Sequence, residues 1–338
     1  MTTTLTPPPV APAGSGIAYR PYRGLADVAG MGAANARLRR SVGLLEPIDV
    51  AAMEHRYTHL VNSDPLTDCV IVERDGATAG YARVEWHDLT DGDRLYESTL
   101  VVEPAASGLG ITDALLDWCE ARLREIATGH ETTRRSWFGS FVFDGVEELE
   151  ASLIAHGYEA VRWDAEMLRP DLDDLPEPAV PDGYTLRIPT EAELPAVFEM
   201  LVLAFAEHWG EYEAEEQRFD DWVDDPRFRR DLVVVAWAPG DRPAAAVLNL
   251  LEAAPDGSVR GLLDGVATHP DHRRRGLARA CIAASLRLLR DEGATSAYLG
   301  VDTDNHNRAL ALYESCGFRV ASGSASYRKP FGGQGSRP

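Results

Sequence analysis

One short segment of the chain combines residue types that could bind an anionic group. The stretch VATHPDHRRRGLARAC covers residues 266–281, and three consecutive arginines, 273–275, stand immediately before Gly276. An apolar run ends at Pro270, and an apolar helical pattern follows the glycine. Backbone N–H groups of such a turn and of a helix N-terminus can converge on phosphate oxygens, and glycine lets the backbone come close. Residues 269–276, here called the basic turn, therefore predict a phosphate site.

Other interpretations of the basic turn make different demands on the sequence. The pattern GxxxxGK[ST] of a P-loop and the pattern GxGxxG of a dinucleotide-binding fold are both missing here. A run of arginines can also be only a solvated surface. The position of these arginines, directly before Gly276 and the start of a helix, favours phosphate binding because the helix N-terminus adds a positive dipole end.

The chain as a whole is strongly acidic. Its 338 residues include 33 Lys and Arg and 54 Asp and Glu, so the formal net charge is −21. Such a surface repels nucleic acid and anionic membranes. No apolar run approaches the roughly 20 residues that a membrane span needs. We expect no nucleic acid and no membrane as partner and a cytoplasmic location, and homo-oligomerisation stays open.

The cysteines do not suggest a metal site. Cys69, Cys119, Cys281 and Cys316 lie far apart and form no CxxC or Cys/His pairing. Cys119 and Cys281 fall in apolar helical patterns, which indicates buried thiols rather than catalytic ones. We therefore predict no metal, and nothing in the sequence demands an oxidising compartment.

Length and composition predict the division of the chain. At about 150 residues per domain, the length predicts two domains. The segment 168–183 is rich in proline and aspartate and predicts a linker. The Pro/Ala/Gly-rich start, 1–16, and the end, 331–338, predict disordered tails. The predicted domains are therefore 17–167 and 184–330.

Both predicted domains show the same order of elements. In the second, apolar strand-like runs and a helical stretch precede the basic turn, and a helix, a strand, a short helix and a final strand or hairpin follow it. The first domain repeats this order more faintly, with a period too long for a solenoid. We expect an α/β fold of two tandem domains, each a mixed, mostly antiparallel sheet flanked by helices.

Two segments of the second domain resemble the signatures of the GNAT N-acetyltransferase superfamily. The first signature is Arg/Gln-x-x-Gly-x-Gly/Ala, which Arg273, Gly276 and Ala278 match. The second signature lies in VDTDNHNRALALYESCGF, and its matching residues are Asn305, Ala309, Tyr313, Gly317 and Phe318. Each signature stands at its expected place in the order of elements. The resemblance covers 184–330 clearly and 17–167 in outline.

The resemblance implies acetyl-CoA as the cosubstrate. It also implies that the strand at 266–268 parts from the strand at 297–301, so that the pantetheine arm pairs with exposed backbone in the gap. A backbone N–H near the start of 266–268 is expected to face the thioester oxygen. The residues expected to bind the cofactor are Val266, Ala267, Thr268, Arg273, Arg274, Arg275, Gly276, Leu277, Ala278 and Asn305.

The same resemblance assigns proton transfer to two side chains. Tyr313 matches the family tyrosine that protonates the leaving thiolate, and a phenol, with a reference pKa of about 10, suits that task. Asp264 stands where similar proteins often keep an acidic base for the amine. The structural alternatives are a core aromatic residue for Tyr313 and a solvated strand aspartate for Asp264, with water as the base.

The first domain resembles the second but lacks its chemical groups. In the aligned turn Gly110 matches the glycine of the basic turn, whereas Ser107 stands where the second domain has Arg273. In the second signature Leu153 stands at the position of Tyr313. The first domain is therefore expected to be a degenerate copy, which braces the active copy, lines its acceptor cleft or holds cofactor without chemistry.

These observations predict an N-acetyltransferase that moves an acetyl group from acetyl-CoA to a primary amine of a small molecule or peptide, at one active site in the second domain. One alternative acceptor is a cysteinyl sugar amine, because the two-copy layout is similar to that of superfamily members that acetylate such thiols. Another alternative is a non-catalytic sensor of acyl-CoA, against which the presence of Tyr313 argues. The segment AFAEHWGEY, with His208, Trp209, Glu211 and Tyr212, either lines the acceptor site or is an ordinary helix end and loop.

Overall fold

The structure, a computed structural model, describes residues 5–44, 48–130, 133–206, 218–254, 257–303 and 309–331. The chain divides into two compact units. The first unit comprises the described residues within 5–44, 48–163 and 324–331. The second unit comprises the described residues within 164–323.

The first unit is a mixed sheet flanked by helices. Its strands are β1 (Ile17–Pro21), β2 (Cys69–Arg74), β3 (Ala77–Asp88), β4 (Arg94–Val102) and β5 (Ser136–Phe143). Its helices are α1 (Val28–Ser41), α2 (Val50–Thr58), α3 (Pro65–Asp68), α4 (Ile111–Ala127) and α5 (Glu147–Ala155). The strands follow one another in the order β1-β2-β3-β4-β5, and residues 324–330 pair with β5. Neighbouring strands are antiparallel except for the parallel pair β4–β5.

The second unit repeats this arrangement. Its strands are residues 164–169 of β6 (Glu159–Arg169), then β7 (Thr185–Arg187), β8 (Val234–Ala238), β9 (Arg242–Ala253), β10 (Val259–Thr268), β11 (Ser296–Asp302) and the start of β12 (Arg319–Pro330). Its helices are α6 (Leu194–Phe205), α7 (Arg218–Asp224), α8 (Leu277–Asp291) and α9 (Ala309–Ser315). The sheet order is β6-β11-β10-β9-β8-β7, and only β10–β11 is parallel. The predicted α/β fold with mixed, mostly antiparallel sheets is confirmed.

The boundaries of the two units differ from the predicted domain boundaries in two segments. Residues 164–169 of β6 pair with β11 and belong to the second unit, although the first domain was predicted to extend to residue 167. Residues 324–330 of β12 pair with β5 and belong to the first unit, although the second domain was predicted to include them. The reason is strand pairing between residues far apart in sequence, which a linear pattern of elements does not contain.

The predicted linker takes part in the core of the second unit. Leu172 and Leu175 are buried there together with strands of the sheet and α8. Arg287 of α8 donates hydrogen bonds to the carbonyl oxygens of Leu175 and Pro176, at 2.9 and 3.1 Å. In the predicted N-terminal tail, the N–H and hydroxyl of Thr6 donate to the carboxylate of Glu125. These segments therefore make specific contacts that their composition did not indicate.

Two further features concern the cysteines and the helices. All four cysteines are buried and free, and burial raises the pKa of the Cys281 thiol to about 12. The apolar face of α8 explains this burial, because Cys281 lies one turn after Leu277 on the face that contacts the sheet. In the described part of the chain, no helix is both long enough and apolar enough to span a membrane.

Candidate functional site

The basic turn connects β10 to the long helix α8. A single 3-10 turn, Pro270–His272, follows the strand, and Gly276 is the N-cap of α8 with φ +84°. Arg274 also has a left-handed backbone, with φ +62°. A Cβ added at Gly276 would meet no atom within 4 Å, so the glycine faces open space as well as supplying the left-handed conformation. The first N–H groups of α8 have no partner within the helix, so they are available to an anion at this turn.

Arg273 contacts backbone oxygens of its own unit. Its guanidinium donates to the carbonyl of Ala204 at the end of α6, at 3.3 Å, and more weakly to the carbonyl of Thr268, at 3.5 Å. This side chain therefore joins the basic turn to α6. Phosphate binding by Arg273 stays a prediction, because the guanidinium would have to keep or exchange these bonds.

The other two arginines lie at the exposed rim of the turn. Arg275 donates to the hydroxyl of Tyr184 at 3.0 Å, and the same hydroxyl lies 2.8 Å from Nδ1 of His272. Arg274 is exposed. Burial lowers the pKa of His272, and the charges of Arg275 and His269 lower it further. The charges of Arg275 and His269 thus oppose protonation of His272, in a chain whose formal net charge is −21.

The strands beside the basic turn separate, as the resemblance to the GNAT superfamily implies. β10 and β11 pair in parallel from Arg260↔Ser296 to Leu262↔Tyr298, whereas the strands themselves continue to Thr268 and Asp302. On its other side β10 stays paired with β9 up to Thr268. The last residues of β10, 266–268, therefore have one edge free of β11, where an extended ligand could pair with the backbone.

The predicted cofactor residues divide into backbone and side-chain groups. The side chains of Ala267 and Leu277 are buried, so these residues can offer a ligand only their backbone atoms. Val266, Leu277 and Tyr313 pack in the same hydrophobic cluster, and the structure therefore brings together residues from β10, α8 and α9. Asn305 lies outside the described residues, as do His208, Trp209, Glu211 and Tyr212.

Tyr313 is a buried phenol on α9. It is 7% exposed, and its ring meets that of Phe318 edge to face, with 6.3 Å between the centroids. Burial raises its pKa to about 12, so the hydroxyl keeps its proton at neutral pH. This environment fits a proton donor, and it also fits a core aromatic residue.

Asp264 is exposed and lies at an irregular point of β10. The register with β9 shifts between Leu263 and Gly265, which makes Asp264 the extra residue of a β-bulge. A bulge re-aims a side chain, and bulges are common next to active sites. Asp264 also interacts electrostatically with the guanidinium of Arg227. The base role of Asp264 stays a prediction.

A polar cluster close to Asp264 was not predicted from the sequence. Arg227 donates to the carboxylate of Asp225 at 2.9 Å, and its guanidinium lies 3.8 Å from Glu252. The hydroxyl of Tyr298 donates to the same glutamate, whose side chain is only 8% exposed. The signal for it was Glu252, an acidic residue near the end of the apolar strand AAAVLNLLEA.

The first unit has a turn of the same backbone shape. A 3-10 turn, Pro104–Ala106, follows β4, and Gly110 is the N-cap of α4 with φ +70°. Gly108 has φ +75°, so it repeats the left-handed conformation of Arg274. β4 and β5 also pair only from Arg94↔Ser136 to Ser98↔Ser140 before they part. The two units thus share the backbone of the site and differ in its side chains.

Among the residues that the structure describes, one group of side chains could hold a metal ion. Ligand atoms of Glu85, His87 and Glu97 lie within 4.8 Å of one another in the first unit. Both oxygens of Glu85 accept hydrogen bonds from Arg83, which neutralises much of the charge that would attract a cation. The expectation of no metal stays a prediction.

Comparison with known proteins decides the family. Residues 39–134 and 194–318 match the model of the acetyltransferase (GNAT) family. The chain belongs to the GNAT acetyltransferase family. The matches fall in both halves of the chain, so both units are GNAT domains, and the chain is an acetyl-CoA-dependent N-acetyltransferase.

Named relatives have a similar length, which corresponds to two GNAT domains. The mycothiol acetyltransferase of Geodermatophilus obscurus is 31% identical over 274 residues, which cover 78% of this chain and 82% of that protein. The mycothiol acetyltransferase of Rhodococcus jostii is 28% identical over 270 residues, which cover 77% of this chain and 82% of that protein.

Solved structures show the same tandem fold. A GCN5-related N-acetyltransferase from Sphaerobacter thermophilus has a TM-score of 0.74 at 20% identity and covers 95% of this chain and 97% of its own. A tandem GNAT protein from the clavulanic acid biosynthesis pathway has a TM-score of 0.67 at 17% identity and covers 94% of this chain and 100% of its own.

The second GNAT unit fits acetyl-CoA in three respects. The basic turn offers N–H groups, positive charge and a glycine that faces open space. The separated edge of β10 offers free backbone for an extended chain. Tyr313 packs in the same cluster as β10 and the first residue of α8. The site residues themselves remain predictions.

Proposed function

We propose that the chain transfers the acetyl group of acetyl-CoA to the primary amine of a cysteinyl sugar, at one active site in the second unit. The observation that carries the placement is the basic turn, with its left-handed residues Arg274 and Gly276, beside the separated strands β10 and β11. The acceptor is supported by two-domain relatives that are named mycothiol acetyltransferases and match over most of their length.

The roles proposed for the residues follow from their positions. Acetyl-CoA supplies the acetyl thioester when it is bound. The N–H groups of the basic turn and the exposed guanidinium groups of Arg274 and Arg275 hold phosphate oxygens. A backbone N–H of 266–268 donates to the developing oxyanion. Tyr313 gives a proton to the leaving sulfur, and Asp264 accepts a proton from the amine, directly or through water.

The first unit is proposed to support the second without turning over substrate. Its turn has Ser107 where the basic turn has Arg273, and Leu153 where the second unit has Tyr313. The serine offers no positive charge, and the leucine offers no transferable proton. No metal takes part in the proposed reaction, and a free small-molecule amine is the only partner that it needs.

Release of coenzyme A with a panel of amines tests this function. The panel contains a cysteinyl sugar, the same sugar without the cysteinyl group, free cysteine, an aminoglycoside and a peptide with a free N-terminus. We expect kcat/KM to be highest for the cysteinyl sugar and the product to be its N-acetyl derivative. Faster turnover of another amine would replace the proposed acceptor. Tight binding of acetyl-CoA without turnover of any amine would instead indicate a sensor.

A further inference from the structure

In the first unit, a carboxylate of the chain itself occupies the turn that corresponds to the basic turn. The N–H of Gly108 donates to Oε2 of Glu148 at 2.8 Å, and the hydroxyl of Ser107 donates to the same oxygen. The hydroxyl of Thr112, in the first turn of α4, donates to Oε1 at 3.1 Å. One backbone N–H of the turn and two hydroxyl groups beside it therefore already have a carboxylate as their acceptor.

The position of Glu148 favours this arrangement electrostatically. The carboxylate lies at the N-terminus of α4, whose N-cap is Gly110, and it belongs to the first turn of α5. Both helix ends carry partial positive charge, and a carboxylate near either end is stabilised. Glu148 thus takes the place that the phosphates take in the proposed site of the second unit.

A cavity of about 550 Å³ lies next to this carboxylate. It is lined by residues of α1, β4, the turn and the start of α5, among them Leu38, Val42, Leu100, Val102, Ser107 and Glu148. The cavity lies beside the part of β4 that has left β5, so the first unit keeps room for an extended ligand. At the turn, however, Glu148 already accepts hydrogen bonds from three donors.

The aligned position of the second unit carries the opposite charge. Counted from the matched pair Leu153 and Tyr313, Glu148 corresponds to Arg308. Arg308 lies outside the described residues. The two copies therefore differ at this position by a full reversal of charge, in the direction that would repel an anionic cofactor from the first unit.

We infer that Glu148 closes the first unit to acetyl-CoA by filling its phosphate turn, and so determines that each chain binds one cofactor. The inference rests on the proposed function, which places the working site at the basic turn. It goes beyond that function because it attributes the inactivity of the first unit to an occupied turn, in addition to the missing arginine and tyrosine.

Calorimetric titration of the full chain with acetyl-CoA tests the role of Glu148. We expect one equivalent for the wild type and for the control Glu147→Ala, because Glu147 lines the same cavity but accepts none of the hydrogen bonds that Glu148 receives from the turn. Glu148→Ala should bind a second equivalent of acetyl-CoA, and its kcat should equal that of the wild type. The second site should be at least about tenfold weaker than the first, since no arginine adds charge-assisted hydrogen bonds. Glu148→Gln, which keeps the shape of the side chain, should also gain the second equivalent.

A variant that blocks the basic turn of the second unit distinguishes the proposed function from the proposed role of Glu148. Gly276→Trp should lose both turnover and binding, and Glu148→Ala added to it should restore weak binding without turnover. Turnover by folded Gly276→Trp would overturn the proposed function. An inactive Gly276→Trp that still binds one equivalent would overturn only the role of Glu148. Two equivalents in the wild type, or one equivalent in folded Glu148→Ala and Glu148→Gln, would overturn it as well.

Discussion

Leu153 has the same backbone setting in the first unit that Tyr313 has in the second. The N–H of Tyr158 donates to the carbonyl of Leu153 at 3.0 Å, and the N–H of Phe318 donates to the carbonyl of Tyr313 at 3.1 Å. Both side chains are buried. The two copies therefore hold this position in the same way, and only one of them fills it with a group that can donate a proton.

Tyr313→Phe should lower kcat by about 10²–10⁴, the usual contribution of a positioned acid, because the variant loses one oxygen and keeps the ring. Its melting temperature and its affinity for acetyl-CoA should match those of the wild type, since the contact with Phe318 involves the ring alone. Steady-state kinetics at saturating substrates measure the effect. A kcat within a few-fold of the wild type would make Tyr313 a packing residue.

Arg274→Gly should separate the affinity of the turn from its stability. Arg274 has φ +62°, a conformation that costs a non-glycine residue on the order of 1 kcal/mol and glycine very little. The free energy of unfolding should therefore stay the same or rise slightly. The dissociation constant of acetyl-CoA should rise by about 10–100-fold, since a charge-assisted phosphate contact is lost. Calorimetry and thermal melts measure both, with Arg274→Lys as the control that keeps the charge. Unchanged affinity in Arg274→Gly would remove Arg274 from the site.

Binding of acetyl-CoA should include proton uptake by His272 near pH 6. Burial and then Arg275 lower the pKa of this histidine, so without ligand it binds a proton less readily than a free histidine does. Phosphates at the basic turn would favour the charged imidazolium, and binding would therefore strengthen as the pH falls. Titrations in buffers of different ionisation enthalpy measure the uptake, which His272→Gln should reduce. Equal uptake in both proteins would place the phosphates away from His272.

The same histidine should make folding sensitive to acid. Its pKa in the folded chain lies below the value of about 6.5 in an unfolded one, so the unfolded chain binds more protons between these two values. The contribution of His272 to the free energy of unfolding should therefore decrease as the pH falls below about 6.5. Chemical denaturation at pH 7.5 and pH 5.5 measures it. Between these two pH values, His272→Gln should lose less free energy of unfolding than the wild type. An equal loss in both proteins would contradict the lowered pKa of His272.

Asp264→Asn should lower kcat by about 10²-fold or more if this carboxylate accepts the proton of the amine. Asp225→Asn is the matched control, because Asp225 is a second carboxylate that interacts with Arg227. The control should keep a kcat close to that of the wild type. Similar losses in both variants would show that the charge balance around Arg227 matters, and a small loss in Asp264→Asn would leave the base role to water.

Much of the site could be predicted because its parts are contiguous in sequence. The basic turn, its glycine and the helix that follows occupy neighbouring positions, and their conformations depend mainly on local backbone preferences. The periodicity of α8 likewise indicated its buried face, where Cys281 lies. The match of Leu153 to Tyr313 followed from a second local pattern.

Other features depend on contacts between residues that are far apart in the chain. The turn of Ser107 and the side chain of Glu148 are 41 residues apart, and their sequence offers no periodic signal of contact. The bond from Arg273 to Ala204 spans 69 residues, and the cluster of Arg227, Glu252 and Tyr298 joins a loop and two strands. These contacts arise only when the sheet has assembled.

By itself, the sequence determined the fold class, the repeat, the place of the basic turn between a strand and a helix, and the absence of the matching arginine and tyrosine from the first copy. Local patterns suffice for these because turn chemistry and hydrophobic periodicity act over a few residues. The tertiary structure alone decided that 164–169 and 324–330 pair outside their predicted domains and that Glu148 fills the turn of the first unit. The physical reason is that strand pairing and a carboxylate's choice of donors depend on which distant segments fold against each other.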